Sequence, residues 1–512
     1  MVKDINPGSS SGFSSSEGSL AALGNIVFFS ADDGSSGSEL WRSDGTAAGT
    51  YMVKDIQPGP TGSAPIRLSV LGNQILFFAN DGTHGDELWA SDGTEAGTLL
   101  VKDIKPGAGH GIRRNYLPQV RDWLVHGGAL FFAADTGTAF SQLWRSDGTA
   151  AGTVFVANTC PGCNANNFAT GEFTAMNDTL YLVGGFDLWR SAGTTAGTTR
   201  VIYGSDDSGP GSIKNLTGIG GLLYMSGGID IFSLDLWVSN GTKAGTRLVK
   251  DLTDKGDPRQ FTAMNGKVFF IADAHLWGTD ATAAGTQLVS SLMIDNALAK
   301  KNNLYVWKNA LYFKVINAAN KCCLYKTDGA PGAEVEVFQQ NTQIANFYNP
   351  VYYASTDDYL YYNAATQSPY VNGIGRVNSA GTEKSIIPAG QGPENLLLAG
   401  DNLFFRSSNS TTGWELWKLS LVTTAAPDIQ NVLALKIYPT LSSDGVFQLQ
   451  YNGAESSTFD VRVFDGLGRQ VFQSTQVPNA PLRLSSLPVG AYFIRVTAEN
   501  GMTAIQKVII NP

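Results

Sequence analysis

The sequence is poor in charged residues and in histidine. Only 15% of its 512 residues are charged, and it has 4 histidines. The histidines lie far apart and none stands beside a Ser-Gly elbow, so neither a nucleophilic triad nor a two-histidine metal site is supported. The formal net charge of -9 argues against nucleic acids and anionic membrane surfaces as partners. We expect no cofactor.

Long apolar runs are also missing. No segment reaches the roughly 20 apolar residues that a membrane-spanning helix needs, and residues 1–5 lack the cationic and apolar pattern of a secretion signal. Residues 2–8 nevertheless copy residues 53–59, so the chain begins inside a repeat. We therefore expect that a signal peptide precedes the first residue or has been removed.

The 4 cysteines form two close pairs. Cys160 and Cys163 enclose Pro-Gly, and Cys322 is adjacent to Cys323. A Cys-x-x-Cys pair can bind zinc or carry redox chemistry, but no second pair stands at metal-ligand spacing and no βαβ pattern surrounds this one. A local disulfide between Cys160 and Cys163 is the favoured interpretation. The other two are either buried thiols or a vicinal disulfide.

A repeat dominates what the sequence does contain. Residues 39–50 read Glu-Leu-Trp-Arg-Ser-Asp-Gly-Thr-Ala-Ala-Gly-Thr, and nearly the same string returns from residue 87 and from residue 143. Each unit has two apolar runs around a Gly-Asn type of turn, then the Leu-Trp run, then a fourth run after the Asp-Gly-Thr turn. Four short antiparallel strands in about 47 residues are typical of a β-propeller blade. The fold class is therefore all-β.

The third strand of the unit can be followed nine times, although the eighth copy is faded. It passes through Trp41, Trp89, Trp144, Trp189, Trp237, Trp277, Tyr325, Arg376 and Trp417. We predict about nine blades in residues 1–422, with eight blades as the alternative. The ninth copy lacks a fourth strand, and residues 1–6 would supply it and close the ring. A further alternative is a longer array with more copies of the repeat upstream.

The repeat stops at a linker, residues 423–434, which is rich in Thr, Ala and Pro-Asp. Residues 435–512 then alternate apolar and polar residues in short runs. This spacing predicts a separate, small Ig-like β-sandwich.

Two families resemble these segments. The repeat is similar to that of bacterial ELWxxDGT-repeat proteins. The last segment resembles the C-terminal type A sorting domain of the type IX secretion system of Bacteroidota. The matching positions of the sorting domain are Tyr438, Pro439, Gly468, Arg469, Gly490, Tyr492 and Lys507. Family members usually continue Tyr-Pro with Asn-Pro, whereas Thr440 and Leu441 follow here, so the entry turn differs.

The second resemblance implies export. In that family the translocon reads the domain, a sortase-like peptidase removes it, and the cargo is released or attached to the cell surface. We therefore expect an extracellular or outer-membrane-surface location, with the translocon and peptidase as partners.

The acidic residues before Leu-Trp, such as Glu39 and Glu87, recur from unit to unit. An active site needs one asymmetric constellation, so a structural role is favoured, with each carboxylate bound to backbone N–H groups or to Lys54 and Lys102. Asp-Gly pairs are interpreted as turns, not as calcium loops. The candidate metal ligands are Asp206, Asp207, Asp254 and Asp257.

Tryptophans outside the repeat pattern are candidates for a ligand platform. They are Trp123, Trp307 and Trp414. The preferred function is a secreted or surface-attached adhesion protein that binds a glycan or a protein without catalysis. The alternatives are a polymer-degrading hydrolase with its site in the propeller channel, and a self-assembling surface or filament protein.

Overall fold

A computed structural model describes residues 1–13, 20–114, 121–137, 141–161, 170–204, 209–228, 234–252, 256–294, 303–316, 321–343, 352–367, 370–409, 411–421, 435–451, 458–465, 469–477, 479–498 and 503–511. The described residues form β-strands and no helix. None of them therefore belongs to a helix that could cross a membrane. The chain divides into two compact units, residues 1–421 and residues 422–512. The predicted linker, residues 423–434, lies outside the described residues.

The described residues of the first unit form nine antiparallel sheets, eight with four strands and the last with three. The prediction of an all-β chain with repeated four-stranded sheets is confirmed. The strands, sheet by sheet, are β1 Ala21–Leu23, β2 Ile26–Asp32, β3 Ser38–Ser43, β4 Tyr51–Lys54; β5 Ile66–Leu71, β6 Gln74–Asn80, β7 Asp86–Ser91, β8 Leu99–Lys102; β9 Trp123–His126, β10 Ala129–Ala134, β11 Gln142–Ser146, β12 Val154–Ala157; β13 Thr170–Met176, β14 Thr179–Gly184, β15 Asp187–Ser191, β16 Thr198–Ile202; β17 Ser212–Ile219, β18 Leu222–Gly228, β19 Asp235–Ser239, β20 Arg247–Lys250; β21 Arg259–Met264, β22 Lys267–Ala272, β23 His275–Thr279, β24 Gln287–Ser290; β25 Tyr305–Trp307, β26 Ala310–Ile316, β27 Lys321–Thr327, β28 Val335–Gln343; β29 Tyr353–Ser355, β30 Tyr359–Gln367, β31 Tyr370–Asn378, β32 Lys384–Pro388; and β33 Gln391–Ala399, β34 Asn402–Asn409, β35 Gly413–Ser420.

Strand β6 shows why a second strand can contain a continuous apolar run. Its side chains at residues 75–79 are all buried. Ile75, Phe77 and Ala79 pack with the first sheet, whereas Leu76 and Phe78 pack with the third sheet. Successive side chains of a strand point to opposite faces, so an uninterrupted apolar run means that both faces of the sheet are covered.

The Leu-Trp pair is divided between two neighbours in the same way. Leu88 packs with the third sheet and Trp89 with the first. In the first unit, Leu40 packs with the second sheet, while Trp41 belongs to a cluster with Phe404 of the ninth sheet. The first and last sheets of this unit therefore share an apolar core.

The first strands of consecutive sheets also contact one another. The contacts run in series from β1 through β5, β9, β13, β17 and β21 to β25, and from β29 through β33 back to β1. Between β25 and β29, the rings of Tyr305 and Tyr353 stack with their centroids 5.2 Å apart. Every pair of neighbouring first strands is thus in contact.

Residues 2–13, the N-terminal segment, lie along β35, where the other eight sheets have a fourth strand. The Val2 N–H donates to the Leu416 carbonyl at 2.8 Å, and the Phe13 N–H donates to the Trp414 carbonyl at 2.8 Å. Phe13 stacks on Phe29 of the first sheet with centroids 5.3 Å apart. The N-terminal segment therefore fills the seam between the ninth and first sheets.

The second unit contains two sheets that share one buried apolar cluster. One sheet has the strand order β36-β38-β41 and the other β37-β43-β42-β39-β40. An immunoglobulin-like strand order stays a prediction. The strands are β36 Leu435–Tyr438, β37 Leu441–Ser442, β38 Val446–Tyr451, β39 Phe459–Phe464, β40 Gln470–Gln476, β41 Pro481–Arg483, β42 Gly490–Ala498 and β43 Thr503–Ile510.

Substitution of Phe13 tests the seam. Its side chain is 2% exposed, so Phe13→Ala should destabilise the first unit by about 3–5 kcal/mol through lost apolar contacts and a cavity. Urea unfolding of the full chain, followed by tryptophan fluorescence, measures the effect. Phe155→Ala is the control because Phe155 is 42% exposed. Equal unfolding midpoints for the two variants would contradict the seam.

Candidate functional site

The acidic residues before Leu-Trp hold the segment that follows each fourth strand. The Glu39 carboxylate accepts hydrogen bonds from the backbone N–H groups of Ile56, Gln57 and Ser63 at 2.9–3.1 Å. Glu87 accepts the corresponding N–H groups of residues 104, 105 and 111. Lys54 does not pair with Glu39 and donates instead to the Thr98 carbonyl at 2.9 Å. These carboxylates serve the scaffold, through backbone groups.

Burial shapes the titration of these acids. It raises the pKa of Glu87 to about 7, against the opposing effect of its backbone N–H donors. Burial likewise raises the pKa of Glu415 to about 7 and raises that of Glu39. The shorter Asp187 and Asp235 each accept one backbone N–H, at 2.8 and 2.9 Å.

The tryptophans proposed as ligand platforms are engaged by the protein itself. Trp307 is 6% exposed and its indole N–H donates to the Thr356 carbonyl at 2.9 Å, so its ring is not available to a ligand. The Arg67 guanidinium lies over Trp123 at 5.0 Å from the ring centroid. The Arg406 guanidinium lies over Trp414 at 4.8 Å.

The predicted metal ligands are only partly within the described residues. Asp206, Asp207 and Asp254 lie outside them. Asp257 accepts a hydrogen bond from the Asn215 amide at 3.3 Å and pairs with Arg259 at 3.3 Å. Within the described ranges, no group of three His, Cys, Asp or Glu residues could hold a metal ion.

The structure describes the cysteines only in part. Cys160 is disulfide-bonded and Cys323 is a buried thiol. Cys163 and the Cys322 side chain lie outside the described residues.

Among the sorting positions of the second unit, the Tyr492 hydroxyl donates to the Pro488 carbonyl at 2.7 Å. Tyr438, Pro439, Arg469, Gly490 and Lys507 are described, and Gly468 is not.

The first strands carry a set of polar residues that no sequence motif marks. Five of these strands contain a β-bulge at the same place, five residues before the turn that leads into the second strand. The residue at each bulge has a φ of 54–58°, a conformation that is uncommon outside glycine. A bulge redirects the side chain at that point. The five residues are Arg67, Glu172, Asn215, Gln260 and Asn395.

In three more sheets a polar residue stands at the same distance from the turn, just before the first strand, namely Asp122, Asn303 and Tyr352. We call all eight the bulge positions. Asn303 is buried and the other seven are half-buried. Unlike the Leu-Trp and Asp-Gly-Thr positions, they hold six different residue types. Their only shared signal in the sequence is the distance to the turn, which no residue identity marks.

The bulge positions make polar contacts from one sheet to the next. Arg67 forms an ion pair with Asp122 at 2.9 Å. The Glu172 carboxyl accepts hydrogen bonds from the backbone N–H groups of Asn215 and Leu216. The Gln260 side-chain oxygen accepts the Asn303 N–H at 2.6 Å. Three pairs of neighbouring bulge positions are therefore in direct contact.

Two of these groups titrate in an unusual range. Burial raises the pKa of Asp122 to about 6, although the neighbouring Arg67 lowers it. Burial raises the pKa of Glu172 to about 7, although its two backbone N–H donors oppose the rise. Within the described residues, one carboxyl oxygen of Asp122 has no hydrogen-bond partner. It borders a cavity, shared with Arg113 and Asp135, that has room for roughly one water molecule.

Comparison with known families identifies the end of the chain. Residues 436–511 match the family described as the secretion system C-terminal sorting domain. The prediction of a type IX sorting domain is thus confirmed. Such a domain implies export by the type IX machinery and a secreted or cell-surface location. Comparison with curated proteins finds no match.

Several solved structures are similar to the chain at low identity. One is the extracellular domain of a proposed one-component system from B. thetaiotaomicron, with 12% identity and a TM-score of 0.36, over 98% of this chain and 76% of that one. Another is dipeptidyl peptidase 4 of Porphyromonas gingivalis, with 10% identity and a TM-score of 0.43, over 67% of this chain and 56% of that one. A likeness this distant carries no argument about activity.

The raised pKa of Glu87 predicts a pH dependence of stability. Its ordinary pKa is about 4.3, so the folded state binds more protons than the unfolded state between about pH 4 and pH 7. The resulting stabilisation is full at low pH and is lost as the pH rises through 7. The thermal midpoint should therefore fall from pH 5 to pH 8, and it should fall less in Glu87→Gln. Glu95→Gln, at an exposed position, is the control; equal slopes for both variants would refute the assignment.

Proposed function

We propose that this chain is a type IX-exported β-propeller of the ELWxxDGT-repeat kind that binds a polar ligand, a glycan or a protein, at its bulge positions without catalysis. The sheets of residues 1–421 would form the nine blades of a closed ring. The second unit would pass the chain to the translocon and then be removed by a sortase-like peptidase. With its ligand bound, the propeller would act in adhesion, either attached to the cell surface or after release from it.

Three features support the closed ring. The first and ninth sheets share an apolar cluster. The N-terminal segment bonds to β35. The first strands contact one another in series from β1 to β33 and back to β1. In a propeller these strands surround the central axis, which would gather all bulge positions around one opening.

The observation that carries the binding function is the variety at equivalent positions. A repeat that served only its own packing would place the same residue at each bulge, as it does at Leu-Trp. The bulge positions instead offer amide, carboxyl, phenol and guanidinium groups. Convergent polar groups of different kinds are what orients a specific ligand, and amides and carboxyls bond readily to hydroxyl groups of sugars.

A second function, a hydrolase acting on a polymer, is favoured by one observation. The Asp122 and Glu172 carboxyls hold their protons closer to neutral pH than ordinary acids. A carboxyl that keeps a proton near the working pH is suited to general acid catalysis. We rank this function second because the groups bonded to these carboxyls favour the ionised form, which cannot donate a proton: Arg67 beside Asp122, and two backbone N–H groups at Glu172.

Asn215→Gly tests the ligand site. Glycine adopts the φ of 56° found at Asn215 without strain, so the substitution keeps the backbone and removes the side chain with its hydrogen bonds to Ser226, Asp257 and Pro258. Affinity for a glycan found by array screening should fall about tenfold, the equivalent of roughly 1.4 kcal/mol for a lost hydrogen bond. Asn265→Gly is the control, since Asn265 has a φ of 51° and is exposed in a turn.

An equal loss of affinity in both variants, or no binding across polysaccharides and proteins, would contradict the binding site. Shortening of a polysaccharide during the assay, abolished by Glu172→Gln, would favour the hydrolase.

A reporter fusion tests the role of the second unit. Residues 432–512 joined to a Sec-exported reporter should carry it to the cell surface or medium of a type IX host. Truncation after residue 506 should leave the reporter in the periplasm, because it removes half of β43 and the buried Val508 and Ile510. Periplasmic retention of the complete fusion would contradict the assignment.

A further inference from the structure

We infer that the seam between β35 and the first sheet is a strand-accepting groove, and that it also accepts the N-terminal segment of another copy of this chain. The inference rests on the proposed ring closure and goes beyond it to self-association. It would make the protein a binder of its own kind by exchange of residues 2–13.

The groove recognises the backbone of its occupant. The two Glu415 carboxyl oxygens accept the N–H groups of Ile5 at 3.2 Å and Gly12 at 2.9 Å. The carbonyls of Leu416 and Trp414 accept two further N–H groups of the segment. With the segment in place Glu415 is fully buried, and the segment supplies an N–H donor to each of its carboxyl oxygens.

Side chains add selectivity for this segment. The Lys3 ammonium group donates to the Thr50 carbonyl at 2.8 Å and lies over the Trp41 ring at 5.5 Å from its centroid. Ile5 is 4% exposed and Phe13 is 2% exposed. An occupant therefore needs a lysine, a buried aliphatic residue two positions later and an aromatic residue at its end.

The topology singles out this groove. Glu39 and Glu87 each bind a segment that begins 17 residues further along the chain, directly after the fourth strand of the same sheet. Glu415 holds Ile5, which is 410 residues away. The two sides of this seam come from the two ends of the first unit, so a segment from another molecule can make the same contacts.

Mass action decides between the two occupants. The contacts are identical, so the chain's own segment is favoured only by its effective concentration, which is on the order of mM for a tethered segment. The wild-type chain should therefore be monomeric at micromolar concentration. Exchange becomes measurable when the chain's own segment is impaired.

Complementation between two full-length variants tests the inference. The acceptor variant, Ile5→Asp with Phe13→Ala, has a defective segment and an intact groove. The donor variant, Glu415→Ala, has the reverse. Each alone should be a monomer with a lowered thermal midpoint. Their equimolar mixture should contain a species of twice the mass by light scattering, with a midpoint raised toward that of the wild type.

A peptide of residues 1–13 provides a second readout. It should bind the acceptor variant one to one, and the same peptide with both acceptor substitutions should not bind. If the acceptor variant does not fold alone, its refolding with the peptide replaces the binding measurement. A mixture without a two-chain species overturns the inference, even if the peptide binds, because the groove would then accept the segment without joining two chains. Neither result depends on the ligand at the bulge positions.

Discussion

Cover for both faces of every sheet is the constraint on which the first unit depends. Residues 75–79 of β6 are all apolar, and their side chains are buried against a sheet on either side. A sheet of this kind with only one neighbour would expose one apolar face to water. Each copy must therefore lie between two others, and the first and last copies satisfy the same need by packing on each other.

Buried polar groups follow from this packing. The Glu before Leu-Trp is fully buried at positions 39, 87 and 415. Glu39 and Glu87 accept backbone N–H groups of the segment that follows in the chain, and Glu415 accepts those of the N-terminal segment. The carboxylate thereby compensates amides that no strand would pair. These three repeated acids are therefore engaged by the scaffold, and the binding that we propose uses positions that vary.

The architecture could be predicted because it is written as repeated residue identities. Trp41 and Trp89 mark the third strands, and the copy of residues 53–59 at the N-terminus pointed to the place beside β35. The bulge positions could not be predicted in this way. Arg67 and Gln260 share a backbone conformation, with φ near 56° and 58°, but no chemical likeness. Their equivalence lies in the pairing register. The pairing of Lys54 with Thr98, in place of Glu39, was also out of reach, because the lysine crosses to the next unit.

Amide hydrogen exchange along β35 and residues 2–13 tests the closed arrangement most directly. If the first and ninth sheets share one core through the N-terminal segment, the amides of Val2, Ile5, Gly12 and Phe13 should be protected as strongly as those of β3 and β7. Exchange of these four amides at the rate of an unfolded peptide, with β3 and β7 still protected, would mean that the ninth sheet ends in an open edge.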